Sequence, residues 1–193
     1  MMCSSKWNFF VDAVSDYKSD FVLFPEYFNA PLMAKFNHLG EAQSIRGLAQ
    51  YTEEVRDRFI NLAISYNINI ITGSMPYVKE DGGLYNVGFL VRRDGTYEMY
   101  EKVHVTPDEI KSWGLSGGKM VQTFDTDCAK IGILICYDVE FPELSRIMAD
   151  QGMQILFVPF LTDTQNGYSR VRVCAQARAI ENECFCRYCR ECR

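Results

Sequence analysis

Cys136 is the residue whose position most directly suggests chemistry in this sequence. It follows an apolar run at residues 131–135 and precedes the polar turn Tyr-Asp-Val-Glu. Such a run is typical of a buried strand, and the carboxyl ends of strands face the crevice where α/β enzymes bind ligands. The turn would place backbone N–H groups beside the sulfur, where they can stabilise an anionic intermediate. A nucleophilic thiol is one interpretation, and a small buried hydrophobe, the commoner role of a single cysteine, is the other.

A carboxylate and an ammonium group also follow predicted strands. Glu26 comes after Phe-Val-Leu-Phe-Pro, where apolar neighbours would suit a general base. Lys102 ends Thr-Tyr-Glu-Met-Tyr-Glu-Lys, where it could hold an oxyanion. Taken singly, the two are a solvated loop carboxylate and a solubilising lysine. Together with Cys136 they supply the nucleophile, proton acceptor and cation that thiol-based acyl transfer requires.

The two histidines, His38 and His104, allow a competing interpretation. Because His104 lies two residues after Lys102, a Cys136–His104 pair would also make a thiol hydrolase. A histidine on a strand or loop face is the simpler interpretation of this position. Since the two histidines show no paired spacing, they predict no metal site.

Alternating strands and helices must position these side chains. Helices are predicted at residues 7–17, 52–66, 142–152 and 168–182, with Thr52 as the cap of the second. Strands are predicted at residues 20–25, 68–72, 85–92, 96–101, 121–125, 130–135 and 154–159. An Asp-Gly pair between two β-rich runs indicates a hairpin. The fold class is therefore α/β with a mixed sheet.

Composition and charge narrow the functional classes. The 193 residues suit one sizeable domain, and 48% hydrophobic residues indicate a globular chain. The formal net charge of -5 argues against nucleic acid and acidic membranes as partners. No apolar run has transmembrane length and no leader pattern is present, so we expect a cytoplasmic protein with no membrane partner.

Several segments resemble signature segments of the nitrilase, or carbon–nitrogen hydrolase, superfamily. They are Phe-Pro-Glu at 24–26, Tyr-Glu-Lys-Val-His at 100–104 and Leu-Ile-Cys-Tyr-Asp-Val-Glu-Phe-Pro-Glu at 134–143. Ala-Arg-Ala-Ile-Glu-Asn at 177–182 resembles the family's late helix, and Tyr-Asn at 85–86 resembles its hairpin strand. All occur in the family's order, and the resemblance runs from about Trp7 to Phe185.

The resemblance implies a four-layer α-β-β-α sandwich and a catalytic triad of Glu26, Lys102 and Cys136. Cys136 would attack an amide or related carbon and form a thioester, while Glu26 would move the proton. Lys102 and the backbone N–H of Tyr137 would hold the oxyanion. The family uses no metal or organic cofactor, and its partner is a small amide, nitrile or carbamoyl substrate.

Supporting residues are also implied by the resemblance. Amidase-like members carry a second glutamate shortly after the lysine, for which Glu109 is the candidate and Asp108 the alternative. Its role would be to position the lysine or the substrate. Four residues are expected to form substrate-binding walls: Phe28, Tyr137, Phe160 and Thr162.

The sequence departs from the family's pattern at both ends. Members have a strand before the first helix and several strands after the late helix. We therefore expect residues 1–185 to form a partial carbon–nitrogen hydrolase domain with an incomplete sandwich, followed by an aberrant tail at 186–193. The missing part weakens the expectation of a homo-oligomer, and a catalytically inactive fragment is the alternative function.

The tail Cys-Arg-Tyr-Cys-Arg-Glu-Cys-Arg has two interpretations. Cys186, Cys189 and Cys192 are spaced as in metal or iron–sulfur motifs, which would make a metal-binding module. A frameshift is the interpretation we favour, because one set of synonymous codons, read one base later, encodes Val-Val-Ile-Ala-Gly-Ser-Val. That peptide is a strand and turn of the kind the family has here. The nucleotide sequence across residues 183–193 tests it.

Overall fold

Two β-sheets lie face to face between two layers of helices in the computed structural model, which describes residues 2–190. The helices are α1 (Met2–Asp16), α2 (Glu41–Ala49), α3 (Thr52–Tyr66), α4 (Pro142–Asp150) and α5 (Gln165–Glu181). The strands are β1 (Phe21–Leu23), β2 (Asn69–Ile71), β3 (Met75–Val78), β4 (Leu84–Val91), β5 (Tyr97–Glu101), β6 (Leu115–Ser116), β7 (Thr123–Asp125), β8 (Lys130–Ile133), β9 (Ile155–Phe160) and β10 (Phe185–Arg190). This arrangement confirms the predicted four-layer fold class. Within residues 2–190, no helix is both long and apolar enough to cross a membrane.

Both sheets are mixed, as predicted. In the first sheet the order is β1-β2-β4-β3, and β5 and β6 also pair with β4. Strands β1 and β2 are parallel, whereas β2, β3 and β5 run antiparallel to β4. In the second sheet the order is β10-β9-β8-β7, with β7 antiparallel to β8 and the other neighbours parallel.

Apolar cores on both faces of each sheet explain the continuous hydrophobic runs in the sequence. Ile71 and Leu90 of the first sheet share one buried cluster with Ile133 and Leu156 of the second sheet and with residues of α4 and α5. A separate cluster joins the outer face of the first sheet to α1 and α3, with Phe59 fully buried in it. Strands covered on both faces lose the alternation of apolar and polar residues.

Helix α3 has its predicted bounds, but the prediction that Thr52 caps it was wrong. The N-cap position is Tyr51, and no side chain makes a capping hydrogen bond there. The hydroxyl of Thr52 instead donates to the carbonyl oxygen of Pro76 at 2.6 Å in a buried contact. This hydrogen bond ties the start of α3 to β3, a long-range contact that local sequence does not indicate.

The predicted tail is part of the second sheet as far as the structure describes it. Strand β10 pairs in parallel with β9, with Phe185 opposite Ile155 and Arg190 opposite Phe160. The boundary predicted between residues 185 and 186 therefore falls inside one strand. Cys192, the third member of the predicted metal motif, lies outside the described residues, and the frameshift stays a prediction about the nucleotide sequence.

Gly73 permits a close approach between its own backbone and the segment that carries Glu26. Its φ is +68°, and a Cβ there would lie 2.0 Å from the carbonyl oxygen of Pro25. We expect Gly73→Ala to lower the free energy of unfolding by roughly 2–4 kcal/mol, because both the left-handed conformation and the clash oppose a side chain. Urea unfolding measures the loss.

Gly82→Ala is the matched control for this substitution. Gly82 has a φ of +76°, but nothing lies within 4 Å of the position that its Cβ would occupy. Only the conformational cost of about 1–2 kcal/mol is therefore expected. Equal losses of stability in the two variants would show that the close approach at Gly73 adds nothing to the cost of the left-handed conformation.

Candidate active site

Three side chains that follow strands of the two sheets meet in one buried site. Glu26 lies three residues after β1, Lys102 follows β5 directly, and Cys136 lies three residues after β8. They are 2%, 2% and 8% exposed, respectively. Because β1 and β5 belong to the first sheet and β8 to the second, the site lies at the seam between the sheets.

The ammonium group of Lys102 lies between two carboxylates. Its Nζ is 2.9 Å from Oε1 of Glu26 and 2.9 Å from both carboxylate oxygens of Glu109. Burial alone would lower the pKa of Lys102, but the two adjacent negative charges outweigh burial and raise the pKa. Lys102 is therefore a fixed positive charge whose position is set by hydrogen bonds on two sides.

The carboxylate of Glu26 is held by two further donors. Nδ2 of Asn86 donates to Oε1 at 3.0 Å, and the backbone N–H of Leu161 donates to Oε2 at 2.9 Å. Asn86 projects from β4, and Leu161 follows β9, so one strand from each sheet contributes a donor. Three donors on one carboxylate fix its orientation, because each oxygen of the group accepts at least one hydrogen bond.

Cys136 occupies a turn with a left-handed backbone. Its φ is +49°, uncommon for a residue with a side chain, and it opens the 3-10 turn Cys136–Glu140. The Sγ atom lies 3.7 Å from the carbonyl oxygen of Leu161. Burial and the negative charge of Glu26 raise the pKa of the thiol well above its usual value, and Lys102 offsets only part of this. The resting sulfur is therefore a neutral thiol at neutral pH.

Glu109, rather than its neighbour Asp108, is the carboxylate that contacts Lys102. It stands at the start of a π-helical turn and also accepts hydrogen bonds from the hydroxyl of Tyr27 at 3.0 Å and from the backbone N–H and hydroxyl of Thr106. Burial opposes its negative charge, but Lys102 and the hydrogen bonds outweigh burial and lower the pKa of Glu109.

Asp138 joins the turn that begins at Cys136 to the segment that follows Lys102. It is 1% exposed and accepts hydrogen bonds from the backbone N–H groups of Val103 at 3.2 Å and His104 at 2.7 Å. The Nδ1 atom of His104 lies 3.2 Å from Asp138, and its ring stacks on Phe141 at 3.7 Å. Burial raises the pKa of Asp138 to about 6, against the effect of the backbone donors. These contacts fit the simpler interpretation of His104 as a structural histidine, and no hydrogen bond within residues 2–190 supports the competing Cys136–His104 pair.

A buried arginine holds the same turn from helix α5. Nε of Arg178 donates to the carbonyl oxygen of Val139 at 3.0 Å, and Nη1 pairs with Glu181. The late-helix segment Ala-Arg-Ala-Ile-Glu-Asn therefore supports the turn that begins at Cys136.

A cavity of about 300 Å³ contains the three central side chains in its lining. Its other lining residues include Tyr27, Glu41, Thr106, Asp108, Glu109, Ser112, Trp113, Leu161, Thr162 and Asp163. The hydroxyl oxygen of Thr162 is buried and has no hydrogen-bond partner among the described residues. The cavity is therefore large enough for a small molecule, and its buried hydroxyl at Thr162 could accept or donate a hydrogen bond to one.

The predicted wall residues fall in different places. Thr162 lines the cavity, whereas Phe28, Tyr137 and Phe160 are absent from its lining. Phe28 packs on Trp7 and Phe59 behind the first sheet, with ring centroids 5.3 and 5.5 Å apart. The fully buried Phe160 packs on the helix side of the second sheet against Tyr168 of α5, with ring centroids 6.1 Å apart, and the ring of Tyr137 contacts Phe141. Side chains on alternate faces of a chain explain why residues next to the site point away from it.

Two side chains that hold the site were not assigned a role from the sequence. Tyr27 directly follows Glu26, and its hydroxyl reaches Glu109. Asn86 is a fully buried amide in an otherwise apolar strand, and it reaches Glu26. A buried polar residue requires a hydrogen-bond partner. The presence of Asn86 in an apolar run could therefore have indicated that its amide binds another polar group.

The cysteines of the described chain form no recognisable metal centre. Among residues 2–190, no group of three or more His, Cys, Asp or Glu side chains is arranged to hold a metal ion. Cys186 lies on β10, where burial raises the pKa of its thiol to about 12. The metal-binding alternative therefore has no support from the described part of the tail.

Comparison with known proteins identifies the family of this chain. The family model for carbon-nitrogen hydrolases matches residues 4–193. A probable hydrolase of Bacillus subtilis, YhcX, is 50% identical over 178 residues, which are 92% of this chain and 34% of the relative. The human omega-amidase NIT2 is 30% identical over 189 residues, which are 91% of this chain and 64% of the relative. This chain thus spans about a third of the length of YhcX and just under two thirds of the length of NIT2.

Solved structures show the same fold. A carbon-nitrogen hydrolase from Helicobacter pylori superposes with a TM-score of 0.83 at 22% identity, covering 97% of this chain and 67% of the other. Nit3 of Saccharomyces cerevisiae, a nitrilase-superfamily member, has a TM-score of 0.80 at 25% identity, covering 100% of this chain and 70% of the other. With the family model matched over almost all of its residues, this chain belongs to the carbon-nitrogen hydrolase family.

Proposed function

We propose that this chain hydrolyses a small amide through a thioester on Cys136, with Glu26 as the general base and Lys102 as the oxyanion-stabilising cation. The observation that carries the proposal is the ammonium group of Lys102, which lies 2.9 Å from both Glu26 and Glu109 in the cavity that also holds the thiol. A nucleophile, a base and a cation in one cavity are what acyl transfer requires.

The first half of the reaction forms the thioester. As the sulfur of Cys136 bonds to the amide carbon, its proton passes to Glu26 and the carbonyl electrons move to oxygen. Lys102 and the backbone N–H of Tyr137 stabilise that oxyanion. When the intermediate collapses, the carbon–nitrogen bond breaks, and the nitrogen leaves with the proton that Glu26 returns.

The second half releases the acid. Water attacks the thioester carbon while Glu26 takes its proton, and the carbon–sulfur bond then breaks. The sulfur recovers a proton, so the enzyme returns to its resting state with a carboxylic acid as product. No redox partner or metal is required by this balance.

The raised pKa of Cys136 determines how the nucleophile is activated. Because burial and Glu26 keep the thiol protonated at neutral pH, there is little preformed thiolate. The proton must leave during the attack, and the fixed carboxylate of Glu26 is positioned to receive it. This differs from thiol enzymes that store an ion pair before substrate binds.

Cys136→Ala tests the proposal. We expect it to lower ammonia release from a panel of small primary amides by at least about 10⁴-fold, because the nucleophile is removed. Circular dichroism and urea unfolding should remain close to those of the parent chain. Cys128→Ala, at an exposed thiol outside the cavity, is the matched control and should keep full activity. Amide hydrolysis retained by purified Cys136→Ala would refute the assignment.

A further inference from the structure

We propose that this cavity selects amides that carry a positive charge at the end remote from the amide, over amides that carry a carboxylate there. The inference rests on the proposed function and names its substrate class. It comes from the charges that line the cavity and from the partners that those charges already have.

Negative charge dominates the cavity. Among the described lining residues five are carboxylates and one, Lys102, is a cation. The carboxylates are Glu26, Glu41, Asp108, Glu109 and Asp163. A substrate that enters therefore meets a negative potential, and cavities lined by one sign of charge concentrate ligands of the opposite sign.

The single lining cation is not available to a substrate carboxylate. Lys102 is already hydrogen-bonded to Glu26 and Glu109 and is 2% exposed. Its remaining role is toward the oxygen of the reacting amide. Arg190 lies nearby, since it donates to the carbonyl oxygen of Thr162 at 2.9 Å, but it stacks over Tyr168 and is not among the lining residues. Among the described lining residues, an anionic group would thus find no free cation to receive it.

Three of the lining carboxylates form the outer set: Glu41, Asp108 and Asp163. They come from three separate segments, namely the start of α2, the residue before the π-helical turn, and the loop between β9 and α5. All three are exposed, unlike Glu26 and Glu109, so they face the solvent side of the cavity. Within residues 2–190, the side chains of all three lack a hydrogen-bond or ion-pair partner, although Glu41 belongs to the backbone ladder of α2. Their charges are therefore available to a ligand.

An aromatic ring supplies an independent indication of a cationic ligand. Trp113 lines the same cavity and packs edge-on against Tyr27, with ring centroids 5.4 Å apart. The face of a tryptophan attracts ammonium groups, most strongly where water is partly excluded. An indole placed among unpaired carboxylates is a combination that suits an alkylammonium group better than a neutral or anionic one.

Three amides with carbon chains of equal length test the proposal with the purified protein: 5-aminopentanamide, pentanamide and glutaramate. At neutral pH and low salt we expect kcat/KM for 5-aminopentanamide to exceed that for glutaramate by at least about tenfold, with pentanamide between them. Raising the salt concentration should reduce the ratio, because the outer set is exposed and screened by ions.

Substitutions in the outer set test whether these three carboxylates cause the preference for a cationic amide. Asp163→Asn, Asp108→Asn and Glu41→Gln should each lower the preference for the cationic over the anionic amide, by roughly threefold per carboxylate. Asp150→Asn is the matched control, since Asp150 is an exposed carboxylate at the end of α4 and does not line the cavity. A preference that survives all three substitutions, or falls equally in the control, would overturn the assignment to these residues.

Alkylation of Cys136 gives a readout that needs no turnover. The ratio of its reaction rates with iodoacetamide and iodoacetate, normalised to a small thiol, should favour the neutral reagent by several-fold, since the anion must enter a negative cavity. Equal normalised rates would overturn the proposal. Hydrolysis of pentanamide with equal use of glutaramate overturns this inference alone, whereas hydrolysis of none of the amides overturns the proposed function and, with it, this inference.

Discussion

Lys102→Met should abolish amide hydrolysis and lower the free energy of unfolding by about 3–5 kcal/mol at neutral pH. The substitution removes the cation that we propose holds the oxyanion, and it leaves Glu26 and Glu109 buried without the charge that lies between them. Breaking a buried ion pair by removing one partner costs this much because the remaining charge is uncompensated. Urea unfolding and ammonia release measure the two effects.

The stability loss in Lys102→Met should shrink as the pH falls. In the parent chain Lys102 lowers the pKa of Glu109, a contribution that is present above the unfolded pKa and is lost on acidification. In the variant Glu109 stays buried without that cation, burial favours its protonated form, and acidification therefore stabilises the variant relative to its state at neutral pH. Unfolding measured at pH 5 and pH 7 gives the comparison.

Lys79→Met is the matched control for the loss of a lysine ion pair. Lys79 pairs with Glu101 at 2.6 Å, but both side chains are partly exposed. Its loss should therefore cost under about 1 kcal/mol and leave hydrolysis intact. Equal stabilities of the parent chain and Lys102→Met at neutral pH would contradict the central place given to the buried ammonium group.

Glu26→Gln should lower hydrolysis by roughly 10²- to 10⁴-fold while making Cys136 chemically more acidic. The loss follows from removing the general base. The gain in acidity follows because the negative charge of Glu26 raises the pKa of the thiol, whereas Lys102 lowers it. In Glu26→Gln, burial still raises the pKa of the thiol, but the negative charge of Glu26 no longer opposes the effect of Lys102, which lowers that pKa.

The pH dependence of iodoacetamide alkylation separates these two effects. In Glu26→Gln the rise in the alkylation rate of Cys136 should occur at lower pH than in the parent chain. Cys128 in the same molecule is an internal control, because its local charges and exposure are untouched by the substitution. An alkylation profile of Cys136 that stays in place or moves to higher pH would falsify the electrostatic account of the nucleophile.

The sequence alone was enough to predict the candidate site residues that follow strands. Glu26, Lys102 and Cys136 each follow a local apolar pattern, and such a pattern identifies a strand without knowledge of the rest of the fold. The pairing of Asn86 with Glu26 spans 60 positions of the chain, and that of Tyr27 with Glu109 spans 82. Contacts of that kind are set by sheet order and packing, which local periodicity does not encode.

The same reasoning explains the elements that were missed. Helix α2 contains Ser44 and Gly47, which favour the helix weakly, and its buried face rests on a few apolar residues such as Ile45 and Leu48. The four layers were predictable through the family resemblance, because its signature segments occur in order. The direction of a side chain next to the site was not, since Phe28 and Phe160 differ from their neighbours only in the face they occupy.

The seam between the sheets makes catalytic competence a property of tertiary assembly. Lys102 belongs to one sheet and Cys136 to the other, and Asp138 joins their chain segments through the backbone of residues 103 and 104. A chain with both sheets formed but not yet docked could contain the contact between Lys102 and Glu26, which both follow strands of the first sheet, but Cys136 would not lie beside them. The proposed amide hydrolysis would therefore require the docking of the two sheets, so its onset during refolding should report that docking step.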